Sequence, residues 1–316
     1  MAMGSVGTHS TKQTLLLVGA GPIGLAAALA AASDGAARVI GVIDPEEQAR
    51  QKAGEMLNCT TYPSLADLEG ERPDVALVAF TSAAAATVPT VISLVARGCH
   101  VVTTCEELAY PPEDLRDELV AAAKVAGVAI VVTGANPGFV MDRLATVVAL
   151  AGRNVHAVTV VRRLDTRTRR GPLVAKTGYG LPVEEFRALA GEGRLGHVGL
   201  KESANLVAEE LGWSPRQSTS TLEPVLGDNG EVLGQHQVFT IDAEGSKTLV
   251  FDLEMSWGAP DPGDRITVNG DFDIDIEVHG GYPGDEGTTA MVVRAIGTIG
   301  QRSSGFYRPT DLVAGY

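Results

Sequence analysis

Three short strings carry residue types whose spacing can do chemistry. The first is Gly19-Ala20-Gly21-Pro22-Ile23-Gly24, a Gly-x-Gly-x-x-Gly turn followed 20 residues after its last glycine by Asp44. The first glycine permits a tight turn, the second leaves room for a pyrophosphate to approach, and the third lets a helix lie close on a strand. The turn opens a helix at Gly21, Pro22 and Ile23 whose free N–H groups, Pro22 having none, face the anion together with the positive end of the dipole. Asp44 is placed to accept hydrogen bonds from ribose hydroxyls, which favours NAD and admits NADP less readily. The second string is Thr103-Thr104-Cys105-Glu106-Glu107-Leu108-Ala109-Tyr110-Pro111, with two adjacent carboxylates. The third is Asn136-Pro137-Gly138-Phe139-Val140-Met141-Asp142.

The elements around these strings alternate. Leu15–Val18 is a strand and Pro22–Ala32 a helix, and Arg38–Ile43 is the next strand, ending at Asp44. A helix over Glu46–Leu57, a fully apolar strand over Asp74–Phe80 ending in Thr81-Ser82, and a helix over Val88–Arg97 follow. The pattern continues with a strand over Cys99–Thr104, a helix from Pro111-Pro112 to Ala126, a strand over Val128–Val132 and a helix over Met141–Ala151. Alternating β and α with runs of buried-strand type predicts a doubly wound parallel Rossmann sheet, α/β in class, over residues 13–152. Ligands of such sheets sit at the carboxyl ends of the strands, which makes Thr81 and Ser82 candidates for touching a cofactor.

The remainder reads as α+β with a mainly antiparallel sheet, over residues 153–285. It holds a strand over His156–Arg163, a Gly- and Arg-rich stretch from Arg167 to Gly180, and helices over Val183–Leu189 and Glu202–Leu211. Strands over Val238–Asp242 and Thr248–Met255 flank Ala243-Glu244-Gly245-Ser246, and strands over Arg265–Val268 and Phe272–Val278 flank Asn269-Gly270, a two-residue hairpin signal. A helix over Thr288–Ile299, within residues 286–316, is expected to pack back on the first domain, and residues 1–12 read as a disordered start.

Composition excludes several classes. The net charge of −14 argues against nucleic acid or an anionic membrane as partner, since both demand a basic face. Cys59, Cys99 and Cys105 are an odd set without metal-ligand spacing and read as reduced cytoplasmic thiols, and the six scattered histidines predict no metal. Thr14–Ala32 has the composition of a signal peptide or anchor, but cleavage after Ala32 would discard the glycine turn and orphan the strand ending at Asp44.

The second and third strings, together with the glycine turn, resemble the 2,4-diaminopentanoate dehydrogenase group, which includes native amine dehydrogenases and is related to dihydrodipicolinate reductase. In the second domain the resemblance rests on Lys176-Thr177-Gly178-Tyr179-Gly180 and Gly196-His197-Val198-Gly199-Leu200-Lys201-Glu202-Ser203. It implies NAD(P)-dependent interconversion of an amine with a ketone or aldehyde plus ammonia. A carboxylate near the reacting carbon suits that reaction, because it stabilises a cationic iminium and can act as general base. A hydroxy-acid dehydrogenase would instead want a cation facing the substrate carboxylate, and the strand end at Cys105–Pro111 offers none.

In an extended segment Glu106 and Glu107 point to opposite sides, so one of the two is catalytic; the family pattern selects Glu106. The resemblance gives Asn136 the nicotinamide carboxamide, and makes His197 a site position; Phe139, Tyr110, Tyr179 and Trp257 are candidate pocket walls. Arg162, Arg163, Arg167, Arg169 and Arg170 form either a solvated loop or an anion site, and Arg50 is a further candidate partner for a 2′-phosphate. Alternatives are a diamine or amino acid dehydrogenase, a dihydrodipicolinate-reductase-like enzyme and a non-catalytic NAD(P) sensor. The reductase reading is discounted because its His-His and Asp-Ala-Pro-Ser-Gly-Thr strings do not occur between Asn154 and Gly230. A homodimer through the second sheet is expected.

Overall fold

The computed structural model describes residues 13–70 and 72–311. The expected disordered start and the last residues of the expected tail lie outside them. Strands β1 (Gln13–Val18), β2 (Ala37–Ile43), β3 (Thr60–Tyr62), β4 (Val75–Val78), β5 (His100–Thr103) and β6 (Ala129–Val132) run parallel in the spatial order β3-β2-β1-β4-β5-β6. Their unbroken apolar sequences have a direct cause. Leu16, Val18, Ala76, Val78, Ile130 and Val132 enter the core on one face, and Leu15, Leu17, Val75, Leu77, Ala129 and Val131 enter the core on the other. Both faces are covered by helices, so neither register of the pleat can be polar. Each fully buried leucine here contributes about 1.5–3 kcal/mol over an exposed one.

The second sheet contains β7 (Ala157–Asp165), β8 (Pro215–Leu226), β9 (Val232–Ala243), β10 (Lys247–Ser256), β11 (Gly263–Asn269) and β12 (Ile274–His279), in the order β12-β11-β7-β10-β9-β8. Only the β7–β10 pair is parallel. One face packs on helices Ala145–Leu150 and Leu200–Glu210 through Val158, Val160, Phe251, Leu253, Ala204 and Val207. The helix Gly284–Thr298 returns to the first sheet, where Val292, Ala295 and Ile296 share a core with Leu15, Leu17 and Ala27. Strand β13 (Gly305–Tyr307) then pairs in parallel with β6 and completes a seven-stranded sheet.

Several expectations need correction. Strand β8 was not foreseen, nor the first half of β9. Arg216-Gln217-Ser218-Thr219-Ser220-Thr221 has no apolar alternation, because β8 is an edge strand exposed on both faces, where even Pro224 is tolerated. The hairpin at Asn269-Gly270 is real, but Val268 pairs with Ile274, so the loop is longer than two residues. Asn269 instead continues the β7 pairing, accepting from His156 N–H, while Asp271 N–H donates to Arg153 O. The helix expected over Met141–Ala151 begins as a π turn, Val140–Leu144, in which Leu144 N–H reaches back to Phe139 O. The Arg-rich stretch contains a short helix, Gly171–Lys176. Among the described residues no helix is long and apolar enough to cross a membrane.

Candidate active site

The glycine turn lies between β1 and β4, where the strand order reverses. Its three glycines serve three different needs. A Cβ on Gly19 would stand 2.7 Å from Phe80 Cβ and 2.8 Å from Ala79 O, so this position serves the close approach of the β4 end, at φ +97°. A Cβ on Gly24 would collide with Gly19 O, which is the close helix–strand packing. A Cβ on Gly21 would meet nothing within 4 Å, and Gly21, Pro22 and Ile23 line an open cleft of about 460 Å³. That is the geometry a pyrophosphate needs at a helix N-terminus. Asp44 accepts from Ala20 N–H at 2.7 Å through Oδ2 and from Glu46 N–H at 2.8 Å through Oδ1. It thus braces the turn, and each oxygen keeps a lone pair for a ribose hydroxyl. Arg50 Nη1 donates to the Asp44 carbonyl at 2.8 Å.

Thr81 and Ser82, at the end of β4, line the same cleft, as do Glu106 and Glu107 after β5. The two glutamates sit on a 3₁₀ turn, Glu106–Ala109, not on the extended segment expected, and hydrogen bonds separate their roles. Glu107 Oε2 accepts from Ala84 N–H at 2.7 Å and so caps the helix Ala84–Ala96. Glu106 receives the Ser82 hydroxyl. Burial pushes the Glu106 pKa up, while the Ser82 hydrogen bond and the charges of Lys176 and Arg170 pull it back.

Asn136 follows β6, joined to Pro137 by a cis peptide bond. Its Nδ2 lies 3.0 Å from His197 Nε2 and 3.2 Å from Met141 Sδ, and its Oδ1 is buried without a partner. An amide of a bound ligand would satisfy that orphaned acceptor. His197 comes from the second domain, its N–H donating to Gln237 Oε1 at 2.8 Å, and Gly196 N–H donates to Gln235 Oε1 at 3.1 Å. Burial, with Arg162 and Lys176 adding repulsion, pushes the His197 pKa down to about 4, so the ring is neutral and Nε2 can accept from Asn136. The two domains touch at this point. Gly199, at φ +101°, lies so close that a Cβ there would stand 2.7 Å from Pro137 Cγ and 3.1 Å from Glu106 Cβ. Asp142, fully buried, accepts from Gly138 N–H at 2.8 Å and from the Ser203 hydroxyl at 2.9 Å, pinning the Asn-Pro-Gly turn to the helix Leu200–Glu210.

Four expected wall residues are not part of the cleft lining. Phe139 packs half-buried in the second core, its ring 4.8 Å from that of Tyr282. Tyr110 packs against the first core, bonded to Glu209 and 6.0 Å from the Arg308 guanidinium. Tyr179 and Trp257 stack on each other at 4.6 Å, both more than a third exposed. An aromatic residue near a motif carries no directional information: two of these pack on the cores and two stack on each other at the surface.

Arg169 and Arg170, read as solvated loop or anion site, line the cleft across from the glycine turn, and so does Lys176, to which no role was given. The strand end at Cys105–Pro111 offers no cation, as read, but the opposite wall does. The Arg-rich stretch is not one solvated loop. Arg162 is a core residue, paired with Asp264 at 3.1 Å and donating to Tyr282 O at 2.7 Å. Arg163 pairs with Glu254 at 3.6 Å, and Arg167 pairs with Asp165 in solvent. Lys176 stood in a string already singled out, and the density of cations in a chain of charge −14 was the available signal.

A glycine turn at the switch point of a parallel sheet, an unsatisfied amide oxygen and a carboxylate in one cleft define a dinucleotide-dependent oxidoreductase. Residues 14–134 match the model of the oxidoreductase family with NAD-binding Rossmann fold. Residues 139–315, more than half of the chain, match the 2,4-diaminopentanoate dehydrogenase C-terminal domain, and the chain belongs to that family. A 2,4-diaminopentanoate dehydrogenase of Acetoanaerobium sticklandii is 28% identical over 296 residues, covering 82% of this chain and 84% of its own. Among solved structures, an amine dehydrogenase from Mycobacterium smegmatis has a TM-score of 0.82 at 19% identity, with 96% of each chain covered. GenD2 from gentamicin A biosynthesis, in complex with NAD, has a TM-score of 0.61 at 19% identity, covering 99% of this chain and 94% of that one. At such identities these structures speak for the fold, which is the α/β architecture expected.

Proposed function

We propose that the chain is an amine dehydrogenase, interconverting a primary amine with a ketone or aldehyde plus ammonia, with NAD as the preferred cofactor. The observation that carries this reading is Glu106, a carboxylate held by Ser82 in the cleft wall beside the Asn136 amide. When bound, the nicotinamide supplies or takes up hydride. Gly21, Pro22 and Ile23 offer the pyrophosphate a helix N-terminus, Thr81 and Ser82 border it, and Asn136 Oδ1 accepts from the carboxamide. As a carboxylate Glu106 takes a proton from ammonium or from the carbinolamine nitrogen, returns it to the carbinolamine hydroxyl as water leaves, and, ionised again, stabilises the cationic iminium carbon. Its raised pKa makes it the stronger base, and Lys176 and Arg170 keep its ionised form accessible. Glu107, spent on capping a helix, is not that base. Asp44 repels a 2′-phosphate, and Arg50 is already engaged at the strand end, which supports NAD over NADP. A homodimer through the second sheet, with its long exposed edge β8, completes the reading and is checked by light scattering in solution.

The test is nicotinamide absorbance with small ketones and aldehydes, high ammonium, and NADH or NADPH in parallel. Ammonia-dependent oxidation is expected with NADH, and Glu106→Gln should lower kcat by about 10²-fold or more with NADH affinity retained. Full activity in Glu106→Gln would remove the carboxylate from the mechanism.

A further inference from the structure

We infer that the second domain carries a second ligand site, at its end remote from the cleft, which binds a zwitterionic amino acid as an effector. The inference goes beyond the amine reading and does not depend on it.

A cavity of about 480 Å³ lies where the helices Ala145–Leu150 and Leu200–Glu210 end, next to the turn between β9 and β10. It is lined by Leu150, Val155, Leu211 and Trp213, and by two half-buried charged residues, Glu210 and Lys247. Glu210 closes its helix at the end where the dipole favours a cation and disfavours a carboxylate. Neither helix has a basic residue in its last turn to offset it. The other charges of this region are matched. Glu209 is held by Arg308, Glu244 pairs with Arg216 at 3.9 Å, and Asp271 pairs with Arg153 at 3.5 Å. Among the described residues, Glu210 and Lys247 make neither an ion pair nor a side-chain hydrogen bond. Lys247 Nζ instead stands 5.6 Å from the centroid of the Trp213 ring, an otherwise buried indole.

An unmatched acid, an unmatched base and an indole in one concavity select a ligand with both signs of charge and a short apolar chain. Its ammonium meets Glu210 and the negative ends of two helices, its carboxylate meets Lys247, and its chain covers Leu150, Val155 and the indole edge. An amine alone leaves Lys247 unmatched, and a carboxylic acid alone leaves Glu210 so.

The effector role follows from where the two helices begin. Ala145–Leu150 continues the π turn behind Asn136-Pro137-Gly138, and Leu200–Glu210 starts after Gly199, which lies against Pro137 and Glu106. A buried hydrogen bond of 2.9 Å from the Ser203 hydroxyl to Asp142 ties the two roots together. At about 1.5 Å per residue the 11-residue helix is about 16 Å long, so the cavity is separate from the cleft. A ligand that ties the far ends of both helices acts on the supports of Asn136 and Glu106, and it shifts the site to the extent that it binds one arrangement of them better.

The chain has two tryptophans, so Trp257→Phe leaves Trp213 as the one indole, and its fluorescence reads the cavity. The NAD⁺-bound protein is titrated with L-norvaline, and with butylamine and pentanoate, which lack its carboxylate and its ammonium respectively. Norvaline should bind at least about tenfold more tightly than either, and Glu210→Gln and Lys247→Met should each weaken it by about tenfold or more. Both substitutions remove an unpaired charge, so the fold is expected to tolerate them. Glu244→Gln, beside the cavity but paired with Arg216, should leave the affinity unchanged. No saturable response of Trp213 would overturn the site. Unchanged affinity in both cavity variants would do the same, because the amino acid would then be in the cleft. Equal affinity for butylamine or pentanoate would overturn the zwitterionic class. Saturating norvaline should also shift the NADH dissociation constant by about fivefold or more, with a reciprocal shift in norvaline affinity, and Lys247→Met should abolish both shifts. Binding with neither shift would overturn the effector role. All of these readouts are binding measurements, so a failure to find ammonia-dependent turnover sinks the amine reading alone.

Discussion

The two walls of the cleft are built by opposite means. On the first-domain wall, Gly21, Ser82, Glu106 and Asn136 sit within a few residues of strand ends, and backbone geometry aims them. On the second-domain wall, Arg169, Lys176 and His197 stand on a loop, a short helix and another loop. That wall is held from a distance: Gln235 and Gln237 of β9 carry Gly196 and His197, and the buried Arg162–Asp264 pair underlies the arginine loop. One wall is a property of the fold class. The other is assembled by this chain's own long-range polar contacts, which is where specificity can differ between relatives that share a sheet.

The contrast can be broken from either side. The largest effect is expected for Arg162→Met, which leaves Asp264 buried without its partner. A loss of about 3–5 kcal/mol is expected in denaturant unfolding, and the double variant Arg162→Met/Asp264→Leu should recover much of it. Next comes Gly199→Ala, which forces an L-residue to φ +101° against Pro137. It should cost about 1–3 kcal/mol and raise the substrate KM more than the NADH dissociation constant, because it separates the walls and leaves the glycine turn intact. Glu107→Ala removes the cap on Ala84 and should cost about 1 kcal/mol in thermal unfolding, with a far smaller loss of rate than Glu106→Gln. Equal rate losses in the two would reverse their assignment. The last effect is confined to acid and is absent at neutral pH. His197 is depressed in the folded protein from 6.5 to about 4, so the unfolded chain binds the extra proton first, and stability present above pH 6.5 falls as the pH drops toward 4. In His197→Gln, unfolding midpoints measured across that window should depend less on pH.

The same contrast explains what could be read from the amino acids. The glycine turn, Asp44, Ser82 and Glu106 were legible because a parallel sheet places its strand ends in one row, and strand ends announce themselves where an apolar run stops. The family resemblance selected Glu106 over Glu107, and the alternation expected of an extended segment is not what separates them: the two sit on a 3₁₀ turn, and Glu107 caps a helix. Phe139, Tyr110, Tyr179 and Trp257 lie outside the cleft lining because side-chain direction depends on neighbours far along the chain, such as Tyr282 and Arg308. Strand β8 was invisible because a strand with two wet faces needs no apolar pattern. Lys176 and Arg169 were in view as residues, but nothing local told an ion-paired surface arginine from one that faces a cleft.

Strand β13 gives the chain an order of assembly. The first sheet lacks its last strand until residues 305–307 have been synthesised, and Arg308, just beyond, grips Glu209 of the second domain at 2.9 and 3.0 Å. Arg143 Nε also donates to Pro309 O at 2.9 Å. The nucleotide-binding half therefore cannot finish on the ribosome ahead of its partner half. Chain elongation delivers the final strand and the clasp between the halves in one step.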